Sequence, residues 1–171
     1  MELRILFICM GNICRSPLAQ GIAQGLYDGW SDSTLDSSFL PAQKGMPAVF
    51  DSAGIHGYHR GEAPCMGSQE IAKQHGLDIS SLRSRPVRIY DEENFDYFVA
   101  MDSENIQALR KMGFAQDKIL RMGDFGDGTD IPDPYIIATC KALKKSTQCS
   151  TLRSKSCSMR KAFCASFDSE L

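Results

Sequence analysis

A short apolar run, followed at once by a flexible turn and a helix start, constrains this chain more than any other feature. Residues Leu3–Cys9 are largely β-branched, aliphatic or aromatic, without polar alternation, which is typical of a strand buried on both faces. Gly11 and Asn12 lie in the turn, and Pro17 is preorganised for a first helical turn. The pattern therefore predicts a central strand, a tight turn and a helix.

The same alternation of strand and helix recurs along the chain. Strands that alternate with helices predict an α/β fold, with a four-stranded parallel sheet in a flavodoxin-like three-layer α/β/α arrangement. In such folds ligands bind beyond the carboxyl ends of the strands, so the first strand-to-helix turn is the expected site. The later predicted strands are Ala48–Ile55, Phe95–Met101 and Lys118–Met122, and the later predicted helices are Cys65–Gln74 and one that Ser103 caps and Gly113 ends.

The composition is that of an ordinary globular protein. Of the 171 residues, 43% are hydrophobic and 23% charged, and the net charge of −2 gives no electrostatic reason to bind nucleic acid. No apolar stretch is long enough for a membrane span, and the opening does not resemble a secretory signal. We therefore expect a soluble, cytoplasmic protein whose seven cysteines are thiols.

The turn after the first strand combines residue types that suit a phosphate-sized anion. Gly11 and Asn12 tolerate left-handed backbone conformations, so the loop can curl until several N–H groups point at one centre beside a helix N-terminus. Arg15 can hold two oxygens of the anion bidentately. No Lys-Ser or Lys-Thr pair follows the glycine, which excludes a Walker-type nucleotide loop. The predicted phosphate-binding residues are Met10, Gly11, Asn12, Ile13, Cys14 and Ser16, in a phosphate loop between strand 1 and helix 1.

Cys9 lies at the mouth of this predicted anion site. Positive potential there favours the thiolate, which is the nucleophilic form, and Ser16 can donate its hydroxyl to the sulfur. A lone cysteine at the end of a core strand is most often a structural thiol. The presence of Arg15 and of the turn residues makes a catalytic role the better interpretation. We therefore predict Cys9 as the catalytic nucleophile and Arg15 as the catalytic cation that holds the anion beside it.

Two motifs resemble those of the low-molecular-weight protein tyrosine phosphatases. They are the string CMGNICRSP, which starts at Cys9, and the tripeptide DPY, which starts at Asp133. The resemblance implies hydrolysis of phosphotyrosine or aryl phosphate monoesters through a cysteinyl-phosphate intermediate, with phosphotyrosine proteins or small aryl phosphates as substrates. It implies that Asp133 protonates the leaving phenolate and then serves as base for the hydrolytic water. It implies no metal and no cofactor.

The resemblance also implies roles for residues outside the loop. Ser52 corresponds to a residue that braces the phosphate loop together with Asn12, and His75 to a member of a supporting polar network. Without the resemblance, His75 would be interpreted as a helix-end residue near the C-terminal dipole. The residues implied to line the substrate entrance are Ile13, Tyr58 and Tyr135.

Two roles are open for Cys14, which has no evident part in phosphoryl transfer. It can fill space under the loop, or it can condense with a sulfenic acid formed on Cys9. The resemblance favours the second role, a protective disulfide between Cys9 and Cys14.

Residues 136–171 differ in kind from the rest of the chain. They carry seven Lys or Arg against two acids, and four of the seven cysteines, with neither Gly nor Pro. No amphipathic stripe is sustained along them. We predict a phosphatase domain over residues 1–135 and a basic, Ser- and Cys-rich tail over 136–171, in place of the closing helix that the family carries. Residues 28–47 are predicted to form a long surface loop.

Two other functions are compatible with the phosphate loop. An arsenate reductase of the same fold also uses a cysteine and an arginine on an anion loop, but relays oxidation through further cysteines. A non-catalytic phosphate-binding module would hold the anion without turnover. Asp133 and Tyr58 favour aryl phosphate hydrolysis over arsenate reduction, and turnover of an aryl phosphate without added thiol partners separates all three.

Overall fold

Four parallel strands form one sheet in the order β2-β1-β3-β4 in the computed structural model, which describes residues 2–30, 47–126 and 128–134. The predicted α/β fold with a four-stranded parallel sheet is confirmed. The strands are β1 (Leu3–Cys9), β2 (Ala48–Gly54), β3 (Tyr97–Ala100) and β4 (Ile119–Arg121). The helices are α1 (Arg15–Tyr27), α2 (Met66–Gln74), α3 (Asp91–Asn94) and α4 (Ser103–Lys111), with 3₁₀ helices at Gln116–Lys118 and Met122–Phe125.

Strand β1 is central because it lies between β2 and β3, in a sheet that helices cover on both faces. It pairs along its full length with β2 and from Ile5 to Ile8 with β3. Ile5, Phe7 and Cys9 lie in one buried cluster with side chains of α1 and α2, and Leu6 and Ile8 lie in a second cluster that includes Leu109 of α4. Every residue from 5 to 9 is therefore buried, which explains why the run lacks polar alternation.

The element boundaries differ from the predicted ones by one or two residues, as helix and strand ends commonly do. Helix α1 begins at Arg15, and the short helix α3 was not predicted. The prediction that Ser103 caps the following helix is wrong. Asp102 is the cap, because its extended backbone places the carboxylate where it accepts the Asn105 N–H at 2.7 Å.

Several sequence predictions lie outside the described residues. They concern residues 31–46 of the predicted surface loop, Tyr135, and the tail over 136–171. At the start of that loop, the Trp30 indole N–H donates to the His75 carbonyl at 2.8 Å, so this ring packs against the end of α2. Across the ranges that the structure does describe, none of the helices is both long and apolar enough to cross a lipid bilayer.

Candidate active site

The loop of residues 10–14 leaves the carboxyl end of β1, with β2 on one side and β3 on the other. Connections diverge at such a point in a parallel sheet, and the crevice between them is a ligand site. Helix α1 follows directly, and no described side chain caps its N-terminus. The first-turn N–H groups of α1 can therefore face an anion. The phosphate loop lies between the first strand and the first helix, as predicted.

Asn12 shapes the loop. It is the one described non-glycine residue with a positive φ, at 54°, whereas Gly11 stays outside the left-handed region. The asparagine is 2% exposed, and its Nδ2 donates to Ser16 Oγ and to Ser52 Oγ, each at 2.9 Å. Its Oδ1 accepts the Arg85 N–H at 2.9 Å. These bonds use the whole side-chain amide to hold a strained backbone, which is how a pre-shaped anion site is maintained.

Cys9 lies at the base of the curled loop and is 3% exposed. Its Sγ is 3.0 Å from Ser16 Oγ and accepts the Asn12 N–H at 3.3 Å. An amide N–H thus donates to the sulfur, and the Ser16 hydroxyl lies within hydrogen-bond distance of it.

Arg15 is held by two carboxylates. The side chain is 5% exposed, and its Nη1 donates to Asp102 Oδ2 at 2.5 Å and to the Ile131 carbonyl at 2.9 Å. Its Nη2 donates to Asp133 Oδ2 at 2.5 Å. The Ile131 N–H in turn donates to the Met101 carbonyl at 2.8 Å, which anchors the segment that carries Asp133. A guanidinium this deeply buried requires such partners, because an unpaired buried charge is strongly destabilising.

The back of the loop is closely supported by β2. A Cβ on Gly54 would lie 2.9–3.0 Å from backbone atoms of Gly11, Asn12 and His56, so only glycine allows this approach. Ser52, two residues earlier on the same strand, donates its hydroxyl to Gln20 Oε1 at 2.7 Å while accepting from Asn12. The strand end and the first turns of α1 therefore hold the loop from one side.

Arg85 supports the loop from a segment that pairs with the end of β2 at Gly54. Burial alone would lower the pKa of its guanidinium, but hydrogen bonds to Asp51 and Asp91 raise it above its usual value. The ion-pair distances are 2.8 Å to Asp51 and 3.0 Å to Asp91. The neighbouring Ser84 hydroxyl donates to the Gly11 carbonyl at 3.1 Å. The segment before α3 thus fixes both the carbonyl of Gly11 and the amide of Asn12.

Tyr58 lies at the edge of the site, in the segment that follows β2. The His56 N–H in this segment donates to the Met10 carbonyl at 2.9 Å, which ties it to the loop. The Tyr58 ring is 83% exposed and its centroid is 5.2 Å from that of His56. The two rings give this rim of the loop an aromatic character.

His75 does not lie beside the loop. It follows the last turn of α2, and the helix spans nine residues, which at 1.5 Å per residue separates its two ends by about 14 Å. The N-terminus of α2 is the end that faces the loop, because the Cys65 N–H donates to the Ile13 carbonyl at 2.6 Å. A supporting role for His75 therefore stays a prediction. Within the described ranges, no group of three or more His, Cys, Asp or Glu is placed to hold a metal ion.

The structure adds positioning residues that the sequence did not assign. They are Gln20, Gly54, Ser84, Arg85 and Asp102. Only Asp102 carried a usable signal: it directly follows the predicted strand Phe95–Met101 and precedes a helix, and the carboxyl ends of parallel strands meet at one edge. The others make contacts that depend on the three-dimensional path of the chain.

A cysteine and an arginine that flank an anion-binding loop, at the carboxyl end of a parallel sheet, define a class of phosphate-monoester hydrolases with a cysteine nucleophile. Comparison with known proteins narrows this class. The family described as low molecular weight phosphotyrosine protein phosphatase matches residues 4–148.

Individual relatives agree with that match. The low molecular weight protein-tyrosine-phosphatase YfkJ of Bacillus subtilis is 41% identical over 138 residues, covering 77% of this chain and 80% of that protein. The crystal structure of YfkJ superposes with a TM-score of 0.68 at 35% identity, covering 84% of this chain and 89% of that one. The low molecular weight phosphotyrosine protein phosphatase of Homo sapiens is 30% identical over 137 residues, covering 77% of this chain and 78% of that protein.

The chain belongs to the low molecular weight phosphotyrosine protein phosphatase family. The resemblance seen in the sequence motifs is confirmed. Neither an arsenate reductase nor a non-catalytic binding module is favoured by these matches.

Proposed function

We propose that this chain hydrolyses phosphotyrosine in proteins and small aryl phosphates, with Cys9 as nucleophile, Arg15 as phosphate-binding cation and Asp133 as acid and base. The observation that carries the proposal is the convergence of these groups at one loop. Arg15 follows the loop that Cys9 begins, and its guanidinium lies 2.5 Å from the Asp133 carboxylate. Membership of the phosphatase family supports the same assignment.

In the first step, the Cys9 thiolate attacks phosphorus, the S–P bond forms and the bond from phosphorus to the aryl oxygen breaks. A proton from Asp133 neutralises the departing phenolate. Charge on the three equatorial phosphoryl oxygens is stabilised by the loop N–H groups and by the Arg15 guanidinium, in a site whose shape is fixed before substrate arrives.

The contact between Arg15 and Asp133 places the carboxyl group that is proposed as the acid beside the cation that is proposed to bind phosphate. A bound phosphate dianion therefore competes with Asp133 for the Arg15 guanidinium.

In the second step, water attacks the phosphorus of the cysteinyl-phosphate and gives a proton to Asp133. The S–P bond breaks, inorganic phosphate leaves and Cys9 returns as a thiolate. The Ser16 hydroxyl and the Asn12 N–H, at 3.0 and 3.3 Å from the sulfur, stabilise that leaving anion.

The substrate ring is proposed to lie between Ile13 on the loop and Tyr58 on the rim, with Tyr135 as a further wall. Stacking against an aromatic side chain contributes about 0.5–1.5 kcal/mol beyond area burial. The high exposure of Tyr58 leaves its face available to a ring presented by a protein substrate.

Two further parts of the proposal concern the whole chain. A cytoplasmic location is supported by the chemistry, since Cys9 must remain reduced to act, and the described cysteines, Cys9, Cys14 and Cys65, are free thiols. The division into a phosphatase domain over 1–135 and a tail over 136–171 is supported by the change in composition after residue 135.

The test is hydrolysis of p-nitrophenyl phosphate and of a phosphotyrosine peptide by the purified full chain, without added metal and without a thioredoxin-type partner. We expect release of inorganic phosphate from both substrates. Phosphate binding without turnover would support a binding module instead, and arsenate reduction that depends on a thiol partner would support a reductase.

Replacing Asp133 with alanine is expected to affect substrates unequally. The kcat/KM for phenyl phosphate, which reports formation of the cysteinyl-phosphate, should fall by about 10²- to 10⁴-fold, the usual contribution of a general acid. The kcat/KM for an aryl ester with a strongly acidic phenol should fall far less, because its phenolate leaves without protonation. Values of kcat/KM for a series of aryl phosphates of differing phenol acidity measure this difference.

Asp117→Ala is the matched control for this series, because Asp117 lies on an exposed 3₁₀ turn between α4 and β4. It should leave all rates unchanged. Equal losses across the series for Asp133→Ala would show that Asp133 is not the acid.

A further inference from the structure

Two cysteines, Cys14 and Cys65, lie beside each other at the end of the phosphate loop, and the hydrolytic mechanism uses neither sulfur. Cys65 immediately precedes α2, and its N–H donates to the Ile13 carbonyl at 2.6 Å. The Ser68 hydroxyl donates to the Cys14 carbonyl at 3.0 Å and lies 3.2 Å from Cys65 Sγ. These contacts hold Cys65 against the end of the phosphate loop, beside Cys14.

The surroundings of the two thiols shift their pKa values in opposite directions. Interaction with the Cys14 side chain, helped by the Ser68 hydroxyl, lowers the pKa of Cys65 to about 6 despite its burial. Interaction with Cys65, together with burial, raises the pKa of Cys14 far above its usual value. At neutral pH the pair therefore consists of a Cys65 thiolate and a Cys14 thiol.

Access distinguishes this pair from the nucleophile. Cys9 is buried, whereas Cys14 and Cys65 are both only partly buried. A low-pKa, partly exposed thiolate beside a second thiol is the arrangement that peroxide oxidises reversibly.

We propose that Cys65 and Cys14 form a peroxide-sensitive redox pair, in which Cys65 is oxidised first and Cys14 closes the disulfide. The Cys65 thiolate attacks one oxygen of hydrogen peroxide, the O–O bond breaks, and Cys65 sulfenic acid and hydroxide are formed. The Cys14 sulfur then attacks the Cys65 sulfur. The S–S bond forms, the S–O bond breaks, and the departing hydroxide combines with the Cys14 proton as water.

Oxidation of Cys65 itself makes Cys14 reactive. Interaction with the Cys65 sulfur and its negative charge, together with burial, keeps the pKa of Cys14 high. Conversion of the thiolate to neutral sulfenic acid removes the charge of Cys65, so Cys14 loses its proton more easily at the moment when its partner has become electrophilic.

The resulting disulfide would join the phosphate loop to the N-terminus of α2 and leave the Cys9 sulfur reduced. It differs from the Cys9–Cys14 pair implied by the family resemblance, and it competes with that pair for Cys14. Formation of the Cys14–Cys65 disulfide depends on the contact between the phosphate loop and the N-terminus of α2. It does not depend on phosphate hydrolysis.

Disulfide mapping tests the pair directly. Cleavage after Lys and Arg places Cys14 on the peptide of residues 5–15 and Cys65 on that of residues 61–73. The full-length Cys9→Ser chain is treated with hydrogen peroxide, its remaining thiols are blocked, and the digest is analysed by mass spectrometry. In this variant Cys14 is the single cysteine of its peptide, so a cross-link identifies the pair without ambiguity.

We expect the cross-link between 5–15 and 61–73 in Cys9→Ser, its loss in Cys9→Ser/Cys65→Ser, and its reversal by dithiothreitol. The wild-type chain with saturating inorganic phosphate, which shields Cys9, should give the same cross-link. Cys9→Ser/Cys140→Ser is the matched control and should retain it. Pairing of Cys65 with any other cysteine, a free Cys65, or a cross-link that forms only when Cys9 is present would overturn the proposal.

The readout is a peptide mass, so it is independent of the proposed hydrolytic function. Cys65→Ser alone should keep the wild-type rate of aryl phosphate hydrolysis, since serine can replace cysteine before α2. A failure of the chain to hydrolyse aryl phosphates would leave the mapping result interpretable.

Discussion

Replacing Cys9 with serine is expected to lower kcat for an aryl phosphate by about 10⁶-fold, the order of magnitude found when a catalytic nucleophile is removed. The serine hydroxyl is not ionised at neutral pH, so no effective nucleophile remains. The loop amides, Arg15 and the Asn12 hydrogen bonds stay in place. Inorganic phosphate should therefore still bind and raise the melting temperature of the variant.

Cys65→Ser is the control for this change, because it removes a sulfur from the neighbourhood of the loop without removing the proposed nucleophile. Steady-state kinetics and thermal melts with increasing phosphate measure both expectations. Substantial residual turnover in Cys9→Ser would rule out Cys9 as the nucleophile. Loss of phosphate binding together with turnover would show that the change disrupts the loop.

Replacing Arg15 with lysine is expected to lower kcat/KM by about 10²- to 10³-fold, comparable to the loss of one transition-state donor in other enzymes. Lysine keeps the charge, but all of its donor hydrogens are on one nitrogen atom. It cannot bind two phosphoryl oxygens in the plane of a guanidinium, nor bond Asp102, Asp133 and the Ile131 carbonyl together as Arg15 does. We also expect a lower melting temperature, since a buried ion-pair network is broken.

Arg88→Lys provides the matched control, because Arg88 is exposed and its guanidinium bonds the Tyr90 hydroxyl away from the loop. It should change neither kcat/KM nor the melting temperature. Arg15→Lys with wild-type kcat/KM would contradict the role proposed for the guanidinium.

Local features of the sequence predicted the strand, the loop and the helix at the centre of the candidate site. The strand β1, the loop and α1 are contiguous, and their apolar run, turn residues and proline each determine structure within a few residues. Asn12 shows the limit of this reasoning: both Gly11 and Asn12 were candidates for a left-handed backbone, and only Asn12 adopts it. The choice depends on Ser52 and Arg85, which bond the asparagine side chain from outside the loop.

Long-range partners were beyond the reach of the sequence pattern. Arg15 and Asp102 are separated by 87 residues, and their contact depends on the starting residue of α4. Asp102 and Ser103 are both good N-cap residues, so the sequence did not distinguish them. A shift of one residue decides whether a carboxylate or a hydroxyl reaches Arg15. Cys65 likewise gave no local sign that it contacts Cys14.

Trapping of the covalent intermediate tests the central claim most directly. In Asp133→Ala, an activated aryl phosphate should still phosphorylate the enzyme, whereas hydrolysis of the intermediate slows because its base is absent. Acid quenching during turnover, digestion and mass spectrometry should then find one phosphoryl group on the peptide of residues 5–15, and none when Cys9 is also replaced by serine. Phosphate release without any phosphorylated peptide, or a phosphoryl group on another residue, would contradict the assignment of Cys9 as the nucleophile.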